Sequence, residues 1–187
     1  MLYDGSTIVA AKFEFYSKND YLFFQNHQKK NSFSMIKRDC SALLFNNDLY
    51  LIVQKGTESL SIPTEKFYKL SILDNSKYIG SLVKETLYSY IPDRTRLGRE
   101  DWKKADDTLL KAVEFKTVKK LFDSVKIVNI FSRDNKLILL PYKNSGYNKS
   151  GSKSIDDKMI TTDLESVTDF ELGEMLKQAF EIATLEV

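Results

Sequence analysis

Ser41-Ala42-Leu43-Leu44-Phe45-Asn46-Asn47-Asp48-Leu49-Tyr50-Leu51-Ile52-Val53 decides the fold class of this chain. Two apolar runs of strand length meet across Asn46, Asn47 and Asp48, whose short polar side chains tolerate turn dihedrals, so the stretch reads as a β-hairpin. A second pair lies towards the C-terminus, with strands over 125–131 and 136–142 around a turn at Ser132-Arg133-Asp134-Asn135. Its second member hardly alternates between apolar and polar, the pattern of a central strand covered on both faces. Upstream, 7–16 and 21–24 read as two further strands around a turn at 17–20, with Phe13 and Phe15 on one face and Glu14 on the other. Residues 56–70, interrupted by Pro63, read as irregular.

Helices fill the remainder. Asn75 or Ser76 caps a helix running to about Tyr90, with Ile79, Val83, Leu87 and Tyr90 on one face and Pro92 as its stop. A second starts near Arg99 and turns Trp102, Ala105, Leu109, Ala112 and Val113 inward, and a short third covers about 117–122. The last opens on a capping box, Thr168 and Glu171, and carries Leu172, Met175, Leu176, Ala179, Phe180 and Ala183 as its apolar stripe. Between 143 and 162 runs a polar segment read as a loop, where Asn144, Tyr147, Asn148 and Lys149 have the composition of a binding loop. The whole predicts an α+β single domain over 1–187, an antiparallel β-sheet packed by about four helices with a closing C-terminal helix.

Composition narrows the chemistry. The chain has 187 residues, 42% apolar and 29% charged, within the range of globular domains. One cysteine, Cys40, and one histidine, His27, leave neither a disulfide framework nor paired His or Cys ligands at metal spacing. Cys40 reads as a small buried apolar residue and His27 as a surface one, so a Cys–His catalytic pair is not expected. The adjacent acids Glu100-Asp101, Asp106-Asp107 and Asp156-Asp157 read as solvated faces, since neighbours on a helix point apart. No glycine-rich phosphate loop occurs. The sequence thus implies no enzyme, no cofactor and no metal. The opening Met1-Leu2-Tyr3-Asp4-Gly5-Ser6 lacks the basic and apolar regions of a signal peptide, and no apolar run is long enough to span a membrane, which sets a cytoplasmic expectation.

Charge is unevenly distributed. The chain carries a net +2, yet residues 163–187 hold seven acids against Lys177, a net of −6. On the last helix Glu171, Glu174, Gln178 and Glu181 form an outward stripe. Acids favour a helix N-terminus through its dipole, and the same stripe also suits a basic protein partner. Basic clusters occur at Arg94, Arg96, Arg99, Lys103 and Lys104 and at Lys116, Lys119 and Lys120, which gives nucleic-acid binding through 94–104 and 116–120 as the alternative. Asp93, Glu100, Asp101, Asp106 and Asp107 interleave the first cluster and dilute its field, so nucleic acid is the weaker reading.

The closing pattern adds a resemblance. Leu139-Leu140-Pro141-Tyr142-Lys143-Asn144-Ser145-Gly146-Tyr147, a polar loop, then Ser166-Val167-Thr168-Asp169-Phe170-Glu171-Leu172-Gly173-Glu174-Met175-Leu176 resembles the CdiI-type immunity proteins of contact-dependent growth inhibition. The resemblance has definition over about the last third of the chain. It implies a cytoplasmic inhibitor, an antitoxin in bacterial competition that binds the C-terminal toxin domain of a secreted effector, often a nuclease, and blocks its active site or nucleic-acid surface. Toxin contact is then expected at Glu171, Glu174 and Glu181, with Tyr147, Asp156 and Asp157 from the neighbouring loop.

Overall fold

The computed structural model describes residues 37–58, 60–147 and 151–186. The strand expectations over 7–16 and 21–24, and His27, lie outside the described residues. The 41–53 hairpin is present as β1 (Lys37–Phe45) and β2 (Asp48–Gly56). Asn46 takes a positive φ of 54° in the two-residue turn, a conformation that its short side chain accommodates. The second hairpin, β4 (Lys126–Arg133) and β5 (Lys136–Asn144), turns in the same way on Asp134 at φ 52°.

Residues 56–70 are not irregular. They contain β3 (Ser61–Ser71), antiparallel to β2. Pro63 and the polar run after it hide this strand from pattern reading, because the register shifts between Ile52↔Phe67 and Gln54↔Pro63. The bulge absorbs the extra residues, and an outermost strand tolerates a proline that has no amide to give. The 143–162 segment is likewise not a plain loop. It holds β6 (Ser152–Ser154), a 3₁₀ turn (Asp156–Lys158) and β7 (Ile160–Asp163), pieces too short and polar to show periodicity.

The sheet runs β3-β2-β1-β4-β5-β6, with β7 and the two-residue β8 (Thr184–Leu185) also on β5. All ladders are antiparallel except β5 with β8. β5 is central, as its unbroken apolar run predicts. Among the described residues four α-helices lie against the sheet: α1 (Ser76–Tyr88), α2 (Arg99–Ala112), α3 (Val118–Phe122) and α4 (Asp169–Ile182).

Strand alternation divides the core in two. One face of the sheet offers Ala42, Leu51, Val128, Ile130, Leu137 and Leu139 to α1 and α4, which return Ile79, Val83, Leu87, Leu172, Leu176 and Phe180. The other offers Leu43, Tyr50, Ile52, Ile127, Phe131, Ile138 and Leu140 to α2 and α3, whose Leu109, Leu121 and Phe122 cover it with Val113 and Val125 beside them. The result is the expected α+β single domain, with an antiparallel sheet packed, among the described residues, by four α-helices, one of them C-terminal. Cys40 is buried in the first core, and burial, with the Asp39 charge beside it, pushes its thiol far up, so it is a packing residue.

Candidate interaction surface

The contact residues singled out from sequence sit in three places. Glu171, Glu174 and Glu181 are exposed on the outer face of α4. Thr168 caps the helix: the Thr168 Oγ1 accepts from the Glu171 amide at 3.2 Å. In return the Glu171 carboxylate accepts from the Thr168 amide at 2.9 Å and its hydroxyl at 2.8 Å, which holds that carboxyl below its ordinary range. Glu174 accepts from the Ser76 hydroxyl of α1 and lies 3.8 Å from Lys177. Asp169 is paired with Lys84 at 2.9 Å, and Lys84 also donates to the Val167 carbonyl.

Asp156 and Asp157 are exposed in the 3₁₀ turn between β6 and β7, at the sheet edge opposite β3. Tyr147 lies elsewhere again. Its ring packs on the second core, across the sheet from α4, and its amide donates to Asp123 at 2.7 Å. The structure therefore brings Glu171, Glu174 and Glu181 onto one helix face and leaves Tyr147 on the other side of the sheet. Asn144, read as part of a binding loop, is completely buried. Its amide donates to the carbonyls of Phe122 and Val125, both at 2.8 Å, and its Oδ1 accepts from the Gly146 amide. It holds together the corner where α3, β4 and β5 meet.

One residue of the α4 face escaped the sequence reading. Phe170 is 57% exposed in the first turn. At 100° per residue it projects in nearly the same direction as Glu174 and Glu181, one turn and three turns further on. Its position off the apolar stripe was the signal: a phenylalanine among acids on the solvent side of an amphipathic helix has no core to join. Every acid of 163–187 except the half-buried Asp169 is exposed, and Lys177 is the only basic side chain of 163–187.

A second surface lies across the molecule. Between β3 and α2 a cavity of about 460 Å³ is lined by Glu65, Phe67, Lys104, Asp107, Thr108 and Lys111, with Phe67 39% exposed. Of the basic residues of the alternative reading, Lys104 lines it. Arg94 and Arg96 are exposed in the connection before α2, and Asp93 beside them is held well below the usual carboxylate range by Lys55 and by the hydroxyl and amide of Thr95. Lys119 is tied to Asp123. Asp106 corrects the reading of its pair as solvated: it is 7% exposed in α2, its Oδ1 has no hydrogen-bond partner, and burial, with the charge of Asp107, pushes its carboxyl up to about 6. Among the described residues there is no group of three or more His, Cys, Asp or Glu side chains able to hold a metal ion, and no helix is long and apolar enough to cross a membrane.

Residues 58–183 match the family model described as CdiI, CDI immunity protein. Among solved structures the fold is similar to a protein of unknown function, NMB0488, from Neisseria meningitidis, with a TM-score of 0.64 at 15% identity over 83% of this chain and 100% of that one. It is also similar to a chain in a CdiA-CT/CdiI toxin and immunity complex from Yersinia pseudotuberculosis, with a TM-score of 0.63 at 12% identity over 81% of this chain and 100% of that one. No curated protein matches the sequence significantly.

Proposed function

This chain belongs to the CDI immunity protein family, and from that premise we propose that it binds and neutralises the toxin domain of a cognate CdiA-type effector in the cytoplasm of the cell that makes it. The observation that carries the reading is the family match across 58–183, which spans both helical layers and most of the sheet. Function here is binding. Among the described residues Cys40 is packed in the core and Glu171 caps a helix.

For the contact surface we propose the outer face of α4, with Phe170 as anchor and Glu174 and Glu181 as the charges that steer encounter. An exposed aromatic ringed by charge has the composition of an interface centre, where a few buried aromatics supply most of the affinity. A toxin that acts on nucleic acid must itself be basic, and an acidic face then raises the association rate in low salt. Asp156 and Asp157, at the sheet edge, extend the proposal as outlying acids; Tyr147, across the sheet, contributes to the fold of its loop.

Tagged protein recovered from its own cells tests the function. The expected co-purifying partner is the C-terminal domain of a large secreted protein, and co-production of this chain should rescue cells from that domain. Recovery of no such domain, or of one that is not toxic, would refute the reading. The surface is tested separately with Phe170→Ser and with Glu174→Lys/Glu181→Lys, leaving the capping Glu171 intact. Removing the anchor should weaken the complex by 10-fold or more, in line with the roughly 2 kcal/mol that marks a hot spot. Charge reversal should slow association and flatten its salt dependence. Unchanged affinity and rate in both variants would move the interface off α4.

A further inference from the structure

The carboxylates of α4 are not equivalent. Asp169 is half-buried and bound to Lys84, and Glu171 is turned back into the cap at Thr168. Glu181 is exposed and makes no hydrogen bond or ion pair with the described residues. Glu174 is held and open at once. Its Oε1 accepts from the Ser76 hydroxyl of α1, a residue that is itself buried. The same hydroxyl accepts from Lys177 at 2.9 Å, and Lys177 also donates to the Asp74 carbonyl at 3.0 Å. Ser76 is seated on Gly173, where a Cβ would stand 1.9 Å from the Ser76 carbonyl oxygen. One oxygen of Glu174 is thus fixed against α1. The other, Oε2, takes no bond from any described residue, and the side chain is 54% exposed.

Phe170 stands four residues before Glu174, the spacing at which side chains on one helix face are neighbours. We propose that the two form a recognition point for a single arginine of the partner, and that Ser76 is the residue that positions Glu174 for it, an inference that rests on the binding function and the α4 surface proposed above. The guanidinium lies over the Phe170 ring and donates to Glu174 Oε2.

An arginine fits because its planar cation stacks on an aromatic face and still presents N–H donors at its edge. A lysine ammonium is a compact, strongly hydrated point charge, and Lys177 already places one 3.8 Å from Oε1. A carboxylate held in place before the partner arrives has little rotamer freedom left to lose, so its hydrogen bond adds more fully to affinity. Glu174 therefore does more than steer encounter. Glu181, with no group to fix it, acts on encounter alone.

The probe is the toxin domain recovered with the tagged full-length protein, and its binding rates are measured against Glu181→Ala, Glu174→Ala, Ser76→Ala and Ser76→Ala/Glu174→Ala. Glu174→Ala should weaken the complex about 10-fold, mainly through faster dissociation, whereas Glu181→Ala should only slow association. Ser76→Ala should weaken it about 3-fold, and should have no further effect once the Glu174 carboxylate is gone. A serine that merely supported the fold would weaken both backgrounds alike, so the cycle separates positioning from structure; thermal unfolding shows that each variant is folded. On the toxin, Arg→Lys replacement one position at a time should find one arginine whose loss is not additive with Glu174→Ala. An unchanged dissociation rate in Glu174→Ala, or additivity with every toxin arginine, would overturn the recognition point while leaving the neutralising function standing. Additive effects of Ser76→Ala and Glu174→Ala would overturn the role of Ser76. Recovery of no toxic domain would refute the function itself, and this inference with it.

Discussion

On one face of the sheet α1 and α4 touch backbone to backbone; on the other, α2 stands off β3 across a gap of about 460 Å³. The close contact rests on two glycines. A Cβ at Gly80 would fall 1.8 Å from the Asp169 carbonyl oxygen, and one at Gly173 would fall 1.9 Å from that of Ser76. With no side chain at either position, α1 and α4 cross near their N-termini and Lys177 reaches the Asp74 carbonyl and the Ser76 hydroxyl. The second face has instead a half-exposed Phe67, a buried carboxyl at Asp106 and the buried polar side chains Asp39, Gln54 and Asn129. One layer is set by shape at these two glycines; the other is an apolar core that also encloses polar groups. The first is sensitive to added volume, the second to a change at one of those polar groups.

Adding a methyl group to the first layer is the most damaging change. Gly173→Ala should cost at least the upper end of the 1–3 kcal/mol of an overpacked core, because the obstacle is backbone rather than a side chain that can turn aside. Gly80→Ala should behave alike, and the double variant should cost less than the sum, since separating the helices once relieves both clashes. Urea unfolding measures all three. Wild-type stability in Gly173→Ala would mean that the helices are not held at this distance.

The second layer breaks by subtraction. Asn144→Ala leaves the Phe122 and Val125 carbonyls without their donor in a buried corner and should cost about 2 kcal/mol. Asn144→Asp should be as harmful, because a carboxylate repels both carbonyls while filling the same space. Thermal unfolding of the two variants separates lost packing from lost donation: if the isosteric Asp is benign, the hydrogen bonds are not what holds the corner.

The same contrast explains what could be read from the sequence. Elements whose burial follows a period were legible. The β1–β2 and β4–β5 hairpins, the α4 capping box at Thr168 and Glu171 and the α4 stripe from Leu172 to Phe180 all obey short-range rules. β3 was not legible, because its bulge breaks the alternation around Pro63, and β6 and β7 were not, because β5 rather than their own composition makes them strands. Gly80 and Gly173 are isolated helix glycines in the sequence; their meaning needs the partner helix. Helical spacing put the α4 carboxylates on one face, while Tyr147 and Asp156 part company because β6 lies between them and the Tyr147 ring packs on the second core. Asn144 and Asp106 failed for one reason: polarity predicts exposure only where no tertiary partner or neighbouring element covers the group.

Asp106 gives the gentlest and most specific probe of the second layer. Its carboxyl titrates at about 6, against an ordinary value of 3.8, chiefly because the charged form is desolvated in α2. The folded state therefore binds this proton more tightly than the unfolded chain does. Through this group stability is greatest below about pH 4, falls as pH rises, and reaches its full penalty above about pH 6. Asp106→Asn removes the charge without changing the shape, so its unfolding temperature should exceed that of the wild type at pH 7, with the gap closing as the pH is lowered to 4. The comparison is internal to one residue, so the other carboxylates, common to both proteins, cancel. A gap of constant size across that range would show that the effect is not ionisation. No gap at any pH would show that water reaches Asp106 freely, and the second layer would then be open to solvent along α2 as well as at the β3 groove.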